Sequence, residues 1–574
     1  MNQYIELASL DDQRNAAARE VVRQRISWPA NLTPANVTYH SRGHALLIGS
    51  AQATYAAARV LQGRGLASLT LLITDSTAPQ EVIHGGSEPL LEHRLSSEQC
   101  QQLHISGYLG AFQAELRSVE GEVLNIAQAL LERSVFDVVL DMTGPGRVGM
   151  TPPWELPPPG YVLLDWATAH NTSDILDSVI ELIGEFDKPR YFQVNSDLCA
   201  HSSSGNVGCT RCLDVCPADA IASVKGRIES HIEINPFLCQ GVGSCTSACP
   251  TGAIEFRLPE TRRQQDTLAT WLKAYRDAGG QAPVMRFITH DTLDAERHAG
   301  EITSGHLLDA PLEELGAAGH DQWLTALANG AAEVRIQLHN NMPAKLRLFL
   351  QDQLAQAHGL LEALGHDTAR IRFVEPGDRS TRDMLPVLMP LTESTLTFTE
   401  PDKRRRLNRV IACLASLGAP SGHRHPMPHG AAYGAVEVDS DACTLCYACV
   451  SNCPTPALKA GGEAPSLSFR EADCIQCGLC EQACPEDAIR LLPGFLASNE
   501  RERRQTCYEE APFECIHCGK PFATASTVAT IKAKLADHPY FAGEALARLE
   551  MCEDCRVKDV WQTMARDPDA QLKV

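Results

Sequence analysis

Apolar residues in the first quarter of the chain alternate between short unbroken runs and helical spacing. HALLIGS (44–50) reads as a buried strand, and ATYAAARVLQGRG as the helix after it, ending in glycine. LTLLITD (69–75) is a second strand. EVLNIAQALLERS and then FDVVLDMTGPG repeat the helix–strand step. This alternation predicts an α/β domain over 1–150 with a largely parallel sheet. PPWELPPPGY (152–161) breaks the pattern as a stiff proline-rich linker, and DILDSVIELIGEF forms an amphipathic helix, together filling 151–190. The α/β rhythm returns over 259–400. TRRQQDTLATWLKAYRDAGG precedes the strand VMRFIT, GHDQWLTALANGA precedes AEVRIQL, and the long helix PAKLRLFLQDQLAQAHGLLEALG precedes RIRFVE.

Cysteine spacing changes this picture. Cys443, Cys446, Cys449 and Cys453-Pro454, then Cys474, Cys477, Cys480 and Cys484-Pro485, both read C-x2-C-x2-C-x3-C-P. That is the bacterial ferredoxin arrangement for two iron–sulfur clusters, in which the last cysteine of each run serves the other cluster. The expected 4Fe–4S ligand sets are Cys443, Cys446, Cys449 and Cys484, and Cys474, Cys477, Cys480 and Cys453. An upstream group repeats the plan with two departures. Seven extra residues separate Cys199 from Cys209, and Val242 stands where a second-run cysteine belongs. Carried over residue by residue, Cys199, Cys209, Cys212 and Cys249 make a third 4Fe–4S set. Cys239, Cys245 and Cys216 are left as three thiolates, suited to a 3Fe–4S cluster, to a 4Fe–4S cluster with one differentiated iron, or to no cluster. His201 is a candidate substitute ligand, set against the plainer reading of an exposed histidine.

The tail carries two knuckles, Cys515-x2-Cys518 and Cys552-x2-Cys555, separated by 33 residues that include the helical stretch STVATIKAKLADH. Four thiolates in this form suit structural Zn2+, with an iron–sulfur centre as the other reading. Of the remaining cysteines, Cys413 sits on an apolar helical face, Cys100 has no obvious partner, and Cys507 could be a spare ligand for the tail.

Charge and composition narrow the compartment and partners. A net charge of −21 over 574 residues argues against nucleic acid. MNQYIELASLDDQRNAAARE has no apolar core, and no run approaches membrane-spanning length, so no export signal and no membrane insertion are expected. The 22 cysteines then read as metal ligands in a cytoplasmic protein. KRRRLNRV (403–410) is basic in an acidic chain, either the solvated face of a helix or a partner-docking patch. After the first strand the chain reads GSAQAT, so the pyrophosphate turn of a dinucleotide fold is not encoded. Asp75, where a ribose-binding acid would stand, and Thr143-Gly144-Pro145-Gly146 are weak ligand signals against ordinary strand-end and turn roles.

CTRCLDVCPADAI, PFLCQGVGSCTSACPTGAI, CTLCYACVSNCP, CIQCGLCEQACPEDAI, ECIHCGKPF and MCEDCRV, with PPPGY ahead of the first pair, resemble the large cytoplasmic 4Fe–4S ferredoxin-type proteins associated with bacterial formate dehydrogenases. The resemblance implies an accessory electron-transfer role beside a molybdenum-dependent formate dehydrogenase. The middle domain is similar to the iron–sulfur δ subunit of hydrogenases and heterodisulfide reductases but lacks its cysteines, which implies a scaffold or docking role.

The expected fold is multidomain α/β and α+β: two α/β domains interleaved with two dicluster ferredoxin-like units and a C-terminal zinc-ribbon-like helical segment. The units fall at 191–258 and 433–495, a basic helix and linker at 401–432, and the tail at 496–574. Three function classes follow: an electron conduit with redox-protein partners, a flavin- or nicotinamide-binding oxidoreductase subunit, and a maturation factor for a molybdoenzyme.

Overall fold

The computed structural model describes residues 12–30, 34–75, 88–144, 154–166, 168, 171–201, 207–226, 230–257, 260–461, 464–541 and 543–566. Its first sheet is parallel throughout, ordered Leu90–Arg94, Ser68–Ile73, His44–Gly49, Val138–Asp141, Tyr161–Leu163. The three central strands are buried along almost their whole length, as strands covered on both faces must be, and this is why they read as unbroken apolar runs. The fifth strand begins at Tyr161, so the proline-rich segment ends inside the sheet instead of leaving it. EVLNIAQALLERS splits into a strand at Val123–Asn125 and a short helix at Ile126–Leu131. The helix expected over 174–186 is observed at Thr172–Glu181, and its last residues instead form the strand Gly184–Pro189, antiparallel to Ala35–Ser41.

The second parallel sheet runs Leu307–Leu312, Val284–Thr289, Glu333–Gln337, Ile371–Val374. Its apolar core includes Met285, Phe287, Trp323, Val334 and Leu350. Asp12–Arg25, within the segment expected to belong to the first domain, packs here through Ala18 and Val22, and the indole nitrogen of Trp271 donates to the Ile26 carbonyl at 2.9 Å. Arg286 lies fully buried on the central strand. Its guanidinium donates to Asp309 at 2.7 Å and to both oxygens of Glu296 at 3.0 and 2.9 Å.

The two cysteine-rich units share one plan. In the first, Phe192–Val194 pairs antiparallel with Ile254–Phe256 around the hairpin Ile221–Lys225/Ser230–Ile234. In the second, Gly434–Val438 pairs with Ile489–Pro493 around Leu458–Ala460/Ser466–Phe469, which gains Gln505–Glu509 as a third strand. The helix Lys403–Leu417 lies between them, with Leu407, Val410, Ile411 and Leu414 in the middle domain's core. Only Arg405 and Arg409 of its basic face are exposed. Lys403, Arg404 and Arg406 are buried, which corrects the solvated-face reading. Among the described residues, no helix is long and apolar enough to cross a membrane.

Removing one partner of a buried ion pair leaves the other charge uncompensated. Arg286→Ala should therefore cost about 3 kcal/mol of middle-domain stability, read by denaturant unfolding followed through Trp271 and Trp323 fluorescence. A loss under about 1 kcal/mol would show that Arg23, 3.2 Å from Asp309, and Arg382, 3.4 Å from Glu296, hold the two carboxylates without it.

Candidate metal centres

Backbone conformation explains how short loops gather sulfur. In the loop from Cys443 to Cys449, Leu445 and Tyr447 take positive φ; from Cys474 to Cys480, Gln476 and Gly478 do. Gly241 and Gly243 repeat this alternation between Cys239 and Cys245, so the loop at Val242 keeps the wrapping backbone although one sulfur is missing. The stretched loop differs, since Thr210 has φ −110° where Tyr447 has +58°.

The cysteines that the spacing groups together are gathered in space. Cys443, Cys446, Cys449 and Cys484 line one cavity with Leu467 and Ile489. Burial pushes the Cys449 thiol up to about 12, with Cys443, Cys446 and Cys484 adding to the rise. Cys480 is raised by burial and then by Cys474, Cys477 and Cys453. Cys212 is raised by burial and then by Cys249, Cys209 and Cys199. Burial also lifts Cys239 to about 11, with Cys216 as a contributing neighbour, while Cys245 feels Cys239 and Cys216. Donors converge on the sulfurs. The amides of Ala220 and Ala488 reach Cys216 and Cys484 at 3.4 and 3.2 Å, and Gln476 donates to Cys474 at 3.4 Å. Buried thiols with amide donors, in groups too open for a single ion, fit iron–sulfur clusters.

The four groups are neighbours in succession. Cys245 neighbours Cys212 and Cys249 within the first unit, and Cys480 neighbours Cys449 within the second. Across units, Cys209 acts on Cys477, whose thiol burial pushes up to about 11. Lys403 donates to the carbonyls of Thr246 and Ser247, both at 2.9 Å, and Arg404 to those of Ala472 and Cys474 at 3.0 and 2.7 Å. Consecutive residues of one helix thus tie the two units together. His320 adds a strut from the middle domain, with ring nitrogens 2.7 Å from Gln353 Oε1 and 2.7 Å from the Tyr433 hydroxyl.

Val242 packs against the middle domain's apolar core, a physical reason for valine at this place. His201 is buried, not exposed. Its ring nitrogens face the Cys209 carbonyl at 3.1 Å and Ser223 Oγ at 2.7 Å, leaving neither for iron. Lys188 fastens the N-terminal domain to this end of the succession through the carbonyls of Phe237 and Cys239 at 3.1 and 2.7 Å. Tyr108 stacks on Phe237 with centroids 4.5 Å apart.

In the tail, the sulfurs of Cys515, Cys518, Cys552 and Cys555 all lie within 4.8 Å of one another, the one group so tight among the described residues. A tetrahedral ion with sulfur bonds of about 2.3 Å needs sulfurs about 3.8 Å apart, and Cys518 and Cys552 are 3.6 Å apart. Cys507 lies instead beside Cys443, so the spare-ligand reading fails on position. Asp75 accepts from the Ala51 amide at 2.9 Å at the start of a helix, a structural use of the residue considered for ribose. Of the Thr143–Gly146 turn, Pro145 and Gly146 fall outside the described residues. Thr143 bonds back to Asp141 at 2.7 Å.

Residues 207–253 and 442–489 each match a family described as a 4Fe-4S dicluster domain. An uncharacterized ferredoxin of Methanocaldococcus jannaschii is 36% identical over 61 residues, 97% of its length and 10% of this chain. The ferredoxin-type protein NapF of Escherichia coli K12 is 44% identical over 45 residues, and the chain spans only 27% of that relative's length while 8% of the chain is covered. With its two dicluster units, the chain belongs to the ferredoxins as an iron–sulfur protein of ferredoxin type.

Gly243 carries φ +83°, and a Cβ there would lie 2.7 Å from Ala317 Cα; at Gly478, φ +79°, the nearest atom would be 3.7 Å away. Gly478→Ala should cost only the left-handed strain, about 1 kcal/mol, whereas Gly243→Ala adds overpacking for about 2–4 kcal/mol. Denaturant midpoints of the two variants check this, and equal losses would contradict the close docking of the Val242 loop.

Proposed function

We propose that this protein conducts single electrons along four iron–sulfur sites, as an accessory to a formate dehydrogenase system. The observation that carries the reading is the unbroken succession of neighbouring cysteine groups across both units, with Cys209, Cys249 and Cys477 lining one cavity. The proposed 4Fe–4S ligands are Cys443, Cys446, Cys449 and Cys484; Cys474, Cys477, Cys480 and Cys453; and Cys199, Cys209, Cys212 and Cys249. Cys216, Cys239 and Cys245 hold a 3Fe–4S cluster or a 4Fe–4S cluster with one differentiated iron, because Val242 offers no donor. Cys515, Cys518, Cys552 and Cys555 hold zinc, and a closed four-thiolate site of this kind is structural.

Such clusters accept and release one electron at a time, at potentials set by cluster type, charge, hydrogen bonds to sulfur and exposure. The polypeptide holds the sulfurs in place, shields them in part from water, with Cys446 left exposed, and supplies amide and cationic donors. Docking to redox proteins falls to the two ends of the succession, the N-terminal α/β domain beside Cys239 and the tail beside Cys443. Lys188 marks the first end, and the bond from Thr524 Oγ1 to the Thr444 carbonyl at 3.1 Å marks the second. The formate dehydrogenase assignment is supported by the order of the cysteine motifs and by the PPPGY segment ahead of the first unit.

Protein purified without oxygen should carry about fifteen or sixteen irons, matching sulfide and about one zinc per chain. EPR of the oxidised form should show the isotropic signal of a 3Fe–4S centre when the Cys216 group holds that cluster. Four irons or fewer would end the conduit reading. Full iron content without electron exchange with a formate dehydrogenase would remove the partner and leave the conduit.

A further inference from the structure

Where the two ferredoxin units meet, Arg211 joins them. Its Nη1 lies 3.5 Å from Cys209 Sγ in the first unit. In the second, Nη2 donates to the Gln476 carbonyl at 3.4 Å, inside the loop between Cys474 and Cys477. Nε donates to the Gly430 carbonyl at 2.9 Å, just ahead of the second unit. One guanidinium therefore touches a sulfur of one site and the wrapping loop of the next. Two buried cations line the same cavity: Lys403 binds the loop before Cys249 and Arg404 binds the Cys474 carbonyl. A cavity of about 440 Å³ at this meeting place is lined by Cys209, Cys249, Cys477, Arg211, Lys403 and Arg404. The backbone also closes in here, because a Cβ on Gly208 would lie 3.2 Å from Leu479 Cδ1 of the second unit.

We propose that Cys209 and Cys477 mark the junction at which electrons cross between the two ferredoxin units, and that Arg211 is its positioning residue. Arg211 holds the two cysteine loops in register and, with Arg404 on the Cys474 carbonyl, places positive charge at the two facing sites; Lys403 is paired with Asp321 at 3.7 Å. The inference rests on the conduit reading above and names its inner junction. A single electron crossing the junction oxidises one site and reduces the other, with no bond or proton transferred. A reduced site carries one more negative charge than an oxidised one, so a cation at this distance favours reduction of both facing sites. The outermost site, around Cys443, has acidic neighbours instead: Glu486 lines its cavity and Glu510 acts on Cys443. Arg211 is not among the groups that act on Cys443 or Cys449, so this site serves as an internal reference.

The test is an EPR-monitored redox titration of the full-length, iron-loaded protein and of Arg211→Gln and Arg211→Lys, with iron and sulfide measured on each. Arg211→Gln should make two of the sites about tenfold harder to reduce, a fall of about 59 mV for a one-electron couple, and leave the others in place. It should also weaken the magnetic interaction between the facing sites in the reduced protein, and Arg211→Lys should restore most of the potential. Unchanged potentials and interaction in Arg211→Gln would overturn the proposal. Equal iron loss in both variants would also overturn it, since Arg211 would then be a structural tie whatever its charge. A parent protein with four irons or fewer would defeat the conduit reading itself, before any variant is compared.

Discussion

Grouping buried thiols is the constraint from which the rest of this structure follows. A thiol removed from water resists ionisation, and each ionised neighbour makes it harder still. Cys449 rises to about 12 and Cys477 to about 11 for these two reasons together. Thiolates can accumulate in such places only if metal supplies the opposing charge, which is how metal binding couples to folding in sites of this kind. The loops with alternating positive φ exist to bring those sulfurs together, and the short hairpins of each unit cover them.

Cations then bind the two units into one body. Lys403 and Arg404 reach opposite units from adjacent helical positions, and both donate to backbone carbonyls there. Lys403 also lies 3.7 Å from the buried Asp321 carboxylate, so Arg404 is the less compensated of the two charges near the cysteine groups. The middle α/β domain supplies the rigid frame: it holds the helix bearing these residues, packs against Val242, and sends His320 to Tyr433. Its lack of cysteines suits a scaffold. The N-terminal helix Asp12–Arg25 crosses to this frame and packs in its core through Ala18 and Val22.

Much of this was legible in the chain because it is local. Cysteine spacing, strand runs such as VMRFIT and the glycine at helix ends are set within a few residues, and the structure places them accordingly. What spacing could not reveal depends on contacts between distant segments. KRRRLNRV looks like a solvated face until residues 246–247 and 472–474 supply carbonyls for it. Val242 looks like a lost ligand until the middle domain's core is seen against it. His201 looks free until Ser223 and Cys209 take its ring. A buried lysine–arginine pair beginning a helix, directly between two cysteine-rich segments, was the available signal that the two units are fastened together.

Four iron–sulfur sites in succession, with Cys209 and Cys477 meeting at the middle, are proposed to carry the electrons. Anomalous scattering at the iron edge, from crystals grown without oxygen, locates them. Four iron-rich peaks are expected in the order Cys239, Cys212, Cys480, Cys449, with the middle two adjacent across the unit boundary. Two separated pairs, or no iron beside Cys216, Cys239 and Cys245, would contradict this arrangement.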